Sequence, residues 1–276
     1  MLVSLKEILK FAEAKKCGIG AFNTPNLTSL KAVLLAAEEQ REPVIIMHAQ
    51  VHEEMGLCKM DEMAPIMLFM ADKAKVPVCV HLDHGTDMDY VKRGLDLGFT
   101  SVMYDGSELP EEENFANTCM MSQVVKRYGA SLEGEIGSMG SRESGGDGGE
   151  SIYTDPELAK RFVEETGVDA LACAFGTAHG LYAKEPKLDF DRLKKIRELT
   201  NIPIVMHGGS GISDENFKES IKFGVRKINY YSYMAKAGAE DIESLSAMKF
   251  FHEIETAAIS AMKKNVAHAI DIFSMR

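Results

Sequence analysis

Three histidines stand where short apolar runs end: His84 in HLDHG, His179 in FGTAHG and His207 in VMHGGSG. Three neutral imidazoles can hold Zn²⁺ and leave its fourth tetrahedral position open, the arrangement of a catalytic rather than a structural site. One such histidine would read as a hydrogen-bonded structural residue. Three of the chain's eight at equivalent places point to a metal centre. Asp83 lies between apolar Leu82 and His84, where an unpaired charge would be costly, which makes it a candidate proton-transfer group. Asp105, Glu133 and Glu135 end two further runs and admit either a role in the site or an ordinary solvated one. The segments His207-Gly-Gly-Ser-Gly211 and Asn229-Tyr-Tyr-Ser232 suggest an anion site, because glycines let backbone N–H groups approach a phosphate closely.

The elements that must carry these groups repeat from end to end. Eight apolar, β-branched runs alternate with helical stretches: 19–23, 44–48, 78–83, 100–105, 130–135, 170–175, 202–207 and 225–230. Their nearly continuous hydrophobicity predicts strands covered on both faces, hence parallel ones. Eight such units over this length predict an α/β fold, a (β/α)₈ TIM barrel, whose catalytic groups sit at the C-terminal strand ends and whose phosphate site follows strands 7 and 8. A doubly wound sheet is the competing arrangement, but AFNTPN after the first run lacks the Gly-rich dinucleotide fingerprint. A single barrel domain over 1–276 is expected, with a helical extension from about 235 to 273. Ser4 and Glu7 fit a capping box opening a short N-terminal helix that plugs the barrel bottom. At the other end Met248, Phe251, Ile254, Ala258, Met262, Val266 and Ile270 form one stripe of a long C-terminal helix, suited to the barrel or to a second subunit. The Gly- and Ser-rich stretch 136–151 predicts a mobile loop.

Charge narrows the partners. The formal net charge of −11 argues against nucleic acid and against anionic lipid, since both reward a basic face. No apolar window is long enough to span a bilayer, and the charged start MLVSLKEILK does not suit a signal-peptide core, so a cytoplasmic protein is expected. Five scattered Cys without a C-x-x-C pair indicate neither a disulfide framework nor a thiolate zinc site.

HLDHG at 81–85, AFGTAHGLY at 174–182, HGGSGI at 207–212 and KIN at 227–229 resemble the signature blocks of the class II, zinc-dependent ketose-bisphosphate aldolases, with AFNTPN and LEGEIG as further blocks. The resemblance implies aldol cleavage of a phosphorylated ketose to dihydroxyacetone phosphate and an aldehyde through a zinc-stabilised enediolate. It implies one Zn²⁺ per chain on His84, His179 and His207, with Asp105 and Glu135 near an alternative metal position. Asp83 matches the residue handling the proton on the aldehyde oxygen, and Glu143 the acid that deprotonates the carbon of dihydroxyacetone phosphate. Gly180, Gly208, Ser210, Asn229 and Ser232 map to phosphate contacts, and Asn23 lies near the substrate. The resemblance leaves room for an auxiliary Na⁺ or K⁺ and for a homodimer or homotetramer. No Lys falls at a rim position in these motifs, which opposes a Schiff-base aldolase. A non-catalytic barrel subunit would be marked by lost ligands, and an amidohydrolase by His-x-His on strand 1; neither mark is present.

The chain departs from the family pattern where the aldehyde half would bind. Its loop reads Gly140-Ser-Arg-Glu143-Ser, its strand 2 exit His48-Ala-Gln-Val-His52, and Tyr230 and Tyr231 follow the strand 8 Asn. SLSAMKF replaces the Asp-Pro-Arg segment that serves the second phosphate, with His48, His52, Arg142 and Lys249 as substitutes. An ordinary fructose- or tagatose-bisphosphate aldolase is the alternative to a ketose 1-phosphate enzyme with a different aldehyde half.

Overall fold

The computed structural model describes residues 1–137, 153–178, 180, 186–244 and 250–276, of which 241–244 by backbone alone. Its strands are β1 (Leu2–Val3), β2 (Ile19–Asn23), β3 (Val44–Ala49), β4 (Val78–Gly85), β5 (Ser101–Tyr104), β6 (Ser131–Ile136), β7 (Ala170–Cys173), β8 (Ile204–Met206) and β9 (Val225–Tyr230). Its helices are α1 (Leu5–Lys15), α2 (Leu27–Gln40), α3 (Gln50–Glu54), α4 (Met60–Lys73), α5 (Met88–Asp96), α6 (Glu111–Tyr128), α7 (Pro156–Thr166), α8 (Phe190–Thr200), α9 (Asp214–Lys222), α10 (Ser232–Ser244) and α11 (Phe251–Phe273). Strands β2 to β9 pair in parallel, and the β4–β5 pairing closes them into a ring of eight. All eight expected runs are therefore strands of a (β/α)₈ barrel. The two-residue β1, too short to register as a hydrophobic run, adds to β4 outside that ring.

The chemistry of the interior follows from strand alternation, since every second side chain of a barrel strand points inward. At the bottom Leu5, Ile8, Leu9 and Ala12 of α1 pack into Ile19, Ala21, Ile45, Cys79 and Val205 and seal the barrel. The expected capping box starts this plug: Ser4 N donates to Glu7 Oε2 at 2.7 Å, and Glu7 N to Ser4 Oγ. A second apolar layer lies between the strands and the surrounding helices.

The region of the expected extension holds the end of α10 and the long helix α11. Helix α10 starts directly after β9, and α11 packs on α2 and α10, so its apolar stripe is spent on the barrel's own helices. Ala258, Met262, Val266 and Ile270 are buried as the stripe requires, but Phe251 is 73% exposed at the first turn and Met248 lies outside the described residues. Among the described residues no helix is long and apolar enough to cross a membrane.

Candidate metal centre and active site

Two consecutive residues of an ideal strand face opposite sides, yet Asp83 and His84 both line one cavity. The register of β4 against β5 shifts between Leu82 and Gly85, and His84 takes a left-handed φ of 47°. That conformation costs a non-glycine residue on the order of 1–3 kcal/mol and persists only where its surroundings over-determine it. Here a bond from His84 Nδ1 to Asp105 Oδ2 at 2.6 Å holds the ring. On the facing wall, Gly208 has φ 63°, and a Cβ there would come within 2.2 Å of the Ala178 carbonyl oxygen, so only glycine lets the chain turn so close behind His207.

The two imidazoles meet edge to face, with His84 Nε2 and His207 Nδ1 2.7 Å apart. Their outer nitrogens decide the tautomers. His84 donates from Nδ1 to Asp105, and His207 donates from Nε2 to Glu133 Oε1 at 2.8 Å. Each neutral ring therefore turns a lone pair toward the other, and two lone pairs at that distance need a shared cation. A proton answers in part: burial disfavours the charged ring, but the carboxylates of Asp83 and Asp105 outweigh it and push His84 up to about 10. Burial and the neighbouring His84 charge lower His207 instead.

A metal ion suits the same donors. Asp83, His84 and His207 form one group whose ligand atoms lie within 4.8 Å of one another, and His84, Asp105 and Glu135 form another. Glu135 Oε2 is buried with no hydrogen-bond partner among the described residues, and burial together with Asp105 raises its pKa well above the carboxylate range. A carboxylate orphaned beside two converging lone pairs is what a cation site looks like, and the imidazole and carboxylate donors without thiolate suit Zn²⁺. His179 and Glu143 lie outside the described residues.

Asp83 is gripped from both sides. Asn23 Nδ2 donates to its Oδ2 and Asn229 Nδ2 to its Oδ1, each at 2.9 Å. Burial would raise its pKa, but the His84 and Lys227 charges outweigh that and hold the carboxyl well below its ordinary value.

One inward step below this tier lies a second polar tier. Inward positions recur every two residues, so His81 stands under Asp83, Glu133 under Glu135 and Lys227 under Asn229. All three lower residues have no exposed surface. Lys227 Nζ lies 2.8 Å from Glu133 Oε2 and donates to Asn229 Oδ1 at 2.8 Å. Burial would raise Glu133, but Lys227 and the bond from His207 lower it to about 2. The sequence reading leaves Glu133 open to a solvated role and sees no lysine at the rim; the structure buries Glu133 completely and places Lys227 just under the rim. The signal was present as polar i, i+2 pairs inside apolar strands, in HLD, EGE and KIN.

The cavity above measures about 460 Å³. Of the residues expected from sequence it is lined by Asn23, Asp83, His84, Asp105, Glu135, Gly180, Gly208, Ser210, Asn229 and Ser232, while His207 and Glu133 stand buried behind it. The Asn229 side chain accepts from Lys227 at Oδ1 and donates from Nδ2 to Asp83, so it orients Asp83. Ser232 opens helix α10, whose 13 residues direct N–H groups and a positive dipole end at the cavity. Of the expected substitutes for a phosphate-binding arginine, His52 lines the cavity, whereas His48 does not. His48 is buried against Tyr90, whose hydroxyl lies 2.9 Å from its Nε2 and donates to Glu53 at 2.8 Å. Arg142 and Lys249 lie outside the described residues. Among the described lining residues there is no Lys or Arg.

Comparison with known proteins agrees with this geometry. A sequence profile of the family described as fructose-bisphosphate aldolase class-II matches residues 3–276. A 6-phospho-5-dehydro-2-deoxy-D-gluconate aldolase of Halalkalibacterium halodurans is 41% identical over 245 residues, 88% of this chain and 85% of that one. A fructose-bisphosphate aldolase of Geobacillus stearothermophilus is 42% identical over 229 residues, 83% of this chain and 80% of that one. Among solved structures, the YdjI aldolase of Escherichia coli K12 superposes with a TM-score of 0.89 at 34% identity, covering 99% of this chain and 97% of its own.

Proposed function

The chain belongs to the class II fructose-bisphosphate aldolase family and is an aldolase, and from that premise we propose that it cleaves and forms a phosphorylated ketose at the barrel-top cavity, with dihydroxyacetone phosphate as one product. One Zn²⁺ per chain would be held by His84, His179 and His207, with Asp105 and Glu135 at an alternative position. When bound, the ion supplies Lewis-acid polarisation of the substrate carbonyl. The observation that carries this reading is the pair of carboxylate-locked imidazoles whose lone pairs converge at 2.7 Å beside Asp83.

The rest is the work of the chain's own groups. Gly180, Gly208, Ser210 and the α10 N-terminus at Ser232 bind the phosphate of the donor half through backbone N–H groups. Asp83, held ionised by its neighbours and aimed by Asn23 and Asn229, handles the proton on the aldehyde oxygen. Glu143 removes the proton from the donor carbon.

The aldehyde half differs from that of fructose 1,6-bisphosphate. Two relatives of 41% and 42% identity carry names with different substrates, so family membership does not choose this half. The described lining offers it His52 and no Lys or Arg, whereas a distal phosphate ordinarily takes a charge-assisted, often bidentate Arg. The substrate is thus a ketose 1-phosphate whose far end lacks a phosphate or places its anion differently. The alternative, an ordinary fructose- or tagatose-bisphosphate aldolase, is supported by the Geobacillus relative. Metal analysis coupled to cleavage of a panel of ketose mono- and bisphosphates tests the whole reading. About one divalent metal per chain and chelator-sensitive cleavage are expected, with no adduct trapped by borohydride. Full activity in the metal-stripped protein would overturn it.

A further inference from the structure

Lys227 has no exposed surface and no place in the cavity lining, yet it stands where an ion pair and a hydrogen bond of the site branch. One branch runs from its Nζ to Glu133 Oε2 at 2.8 Å, and from Glu133 Oε1 to His207 Nε2 at 2.8 Å. The other runs from Nζ to Asn229 Oδ1 at 2.8 Å, and from Asn229 Nδ2 to Asp83 Oδ1 at 2.9 Å. The second branch also settles the Asn229 amide: its oxygen must face the ammonium, so its NH₂ must face Asp83.

We propose that Lys227 is a positioning residue for the aldol reaction: through Glu133 it fixes the metal-facing nitrogen of His207, and through Asn229 it fixes the carboxylate of Asp83. The inference rests on the function proposed above and adds a residue to it. Without the ammonium, Glu133 would be a fully buried carboxylate facing His81 and His207 only, and such a charge is costly when unpaired. A lysine in a barrel aldolase invites a second assignment, that of a Schiff-base nucleophile. The geometry opposes it: Nζ is engaged by a carboxylate and an amide, and Asn229 lies between it and the cavity.

The test compares wild type with Lys227→Met, a variant of similar length without the charge, using purified protein with its metal. Loss of an outer partner of a metal-binding histidine should weaken divalent-metal affinity by roughly 10- to 100-fold. At saturating metal, the second branch is read by two rates. Cleavage needs the Asp83 proton transfer, whereas hydrogen exchange from dihydroxyacetone phosphate into water does not. Cleavage should therefore fall about 10-fold or more beyond any fall in exchange, the low end for a general acid or base. A purely structural lysine would lower both rates together, in proportion to the folded fraction seen by circular dichroism, and that outcome overturns the proposal. So does borohydride trapping of substrate on Lys227 in the wild type. If Lys227→Met does not fold, the cycle of Glu133→Gln and Asn229→Ala keeps the lysine and carries the test on metal affinity. Effects that depart from multiplying by about fivefold or more support a shared partner; effects that multiply within about twofold overturn it. A wild type that neither binds metal nor cleaves any ketose phosphate defeats the function itself, a result distinct from an active wild type unaffected by the substitution.

Discussion

Asp105 and Glu133 hold His84 and His207 from the far side of each ring's converging nitrogen, so their effect should be measurable apart from any contact with substrate. Asp105→Asn keeps the shape but can present its NH₂ to His84 Nδ1, which frees the ring to take the wrong tautomer. Metal affinity should fall about 10- to 100-fold; isothermal titration showing unchanged affinity would mean that Asp105 does not set the ligand. The base assignment is separable. Glu143→Gln should slow tritium exchange from dihydroxyacetone phosphate by roughly 100-fold or more with metal content intact. Unchanged exchange would move the base, with Glu135 next in line. At this scale the upper tier was legible from sequence because its histidines, acids and glycines fall in recognisable blocks. The lower tier was not, since Lys227 and His81 sit inside those blocks with no role assigned to them, and only closing the barrel brings Lys227 against Glu133.

Among the elements, the β3 exit and α3 depart furthest from expectation. His48, one of the groups offered there for a distal phosphate, turns away from the cavity into the chain His48–Tyr90–Glu53. Its burial lowers its pKa from 6.5 to about 4, whereas the unfolded chain titrates near its ordinary value. The unfolded state thus binds a proton that the folded state refuses, and stability rises with pH across that window. Stability held by neutral His48 is present above about pH 6.5 and is lost as pH falls toward 4, with a ceiling on the order of 3 kcal/mol from the size of the shift. In denaturant titrations, the advantage of wild type over His48→Gln should shrink from pH 7 to pH 4.5; a constant gap would show that His48 is not held neutral. The strands themselves were readable because apolar runs of this density have one place to go. The left-handed turn at His84 was not, because nothing in HLDHG distinguishes a bulged strand from a straight one until β5 fixes the register.

For the whole molecule, closure of eight strands gathers site residues separated by more than 200 positions, from Asn23 to Ser232, into one cavity of about 460 Å³. With no described Lys or Arg in its lining, fructose 1,6-bisphosphate should be a poor substrate beside another ketose 1-phosphate. A kcat/KM for fructose 1,6-bisphosphate of about 10⁵ M⁻¹s⁻¹ or above, well within the ordinary enzyme range, would show that the departures do not matter. The two polar tiers inside this barrel also have an evolutionary consequence. The lower tier, with Lys227, Glu133 and His81, does not line the cavity, while α3 and the segment 107–109 after β5 face it and carry none of the tier's charges. Selection for a new aldehyde can therefore replace α3 and that segment without disturbing the ionic foundation beneath them. Substrate range can drift quickly over chemistry that stays fixed.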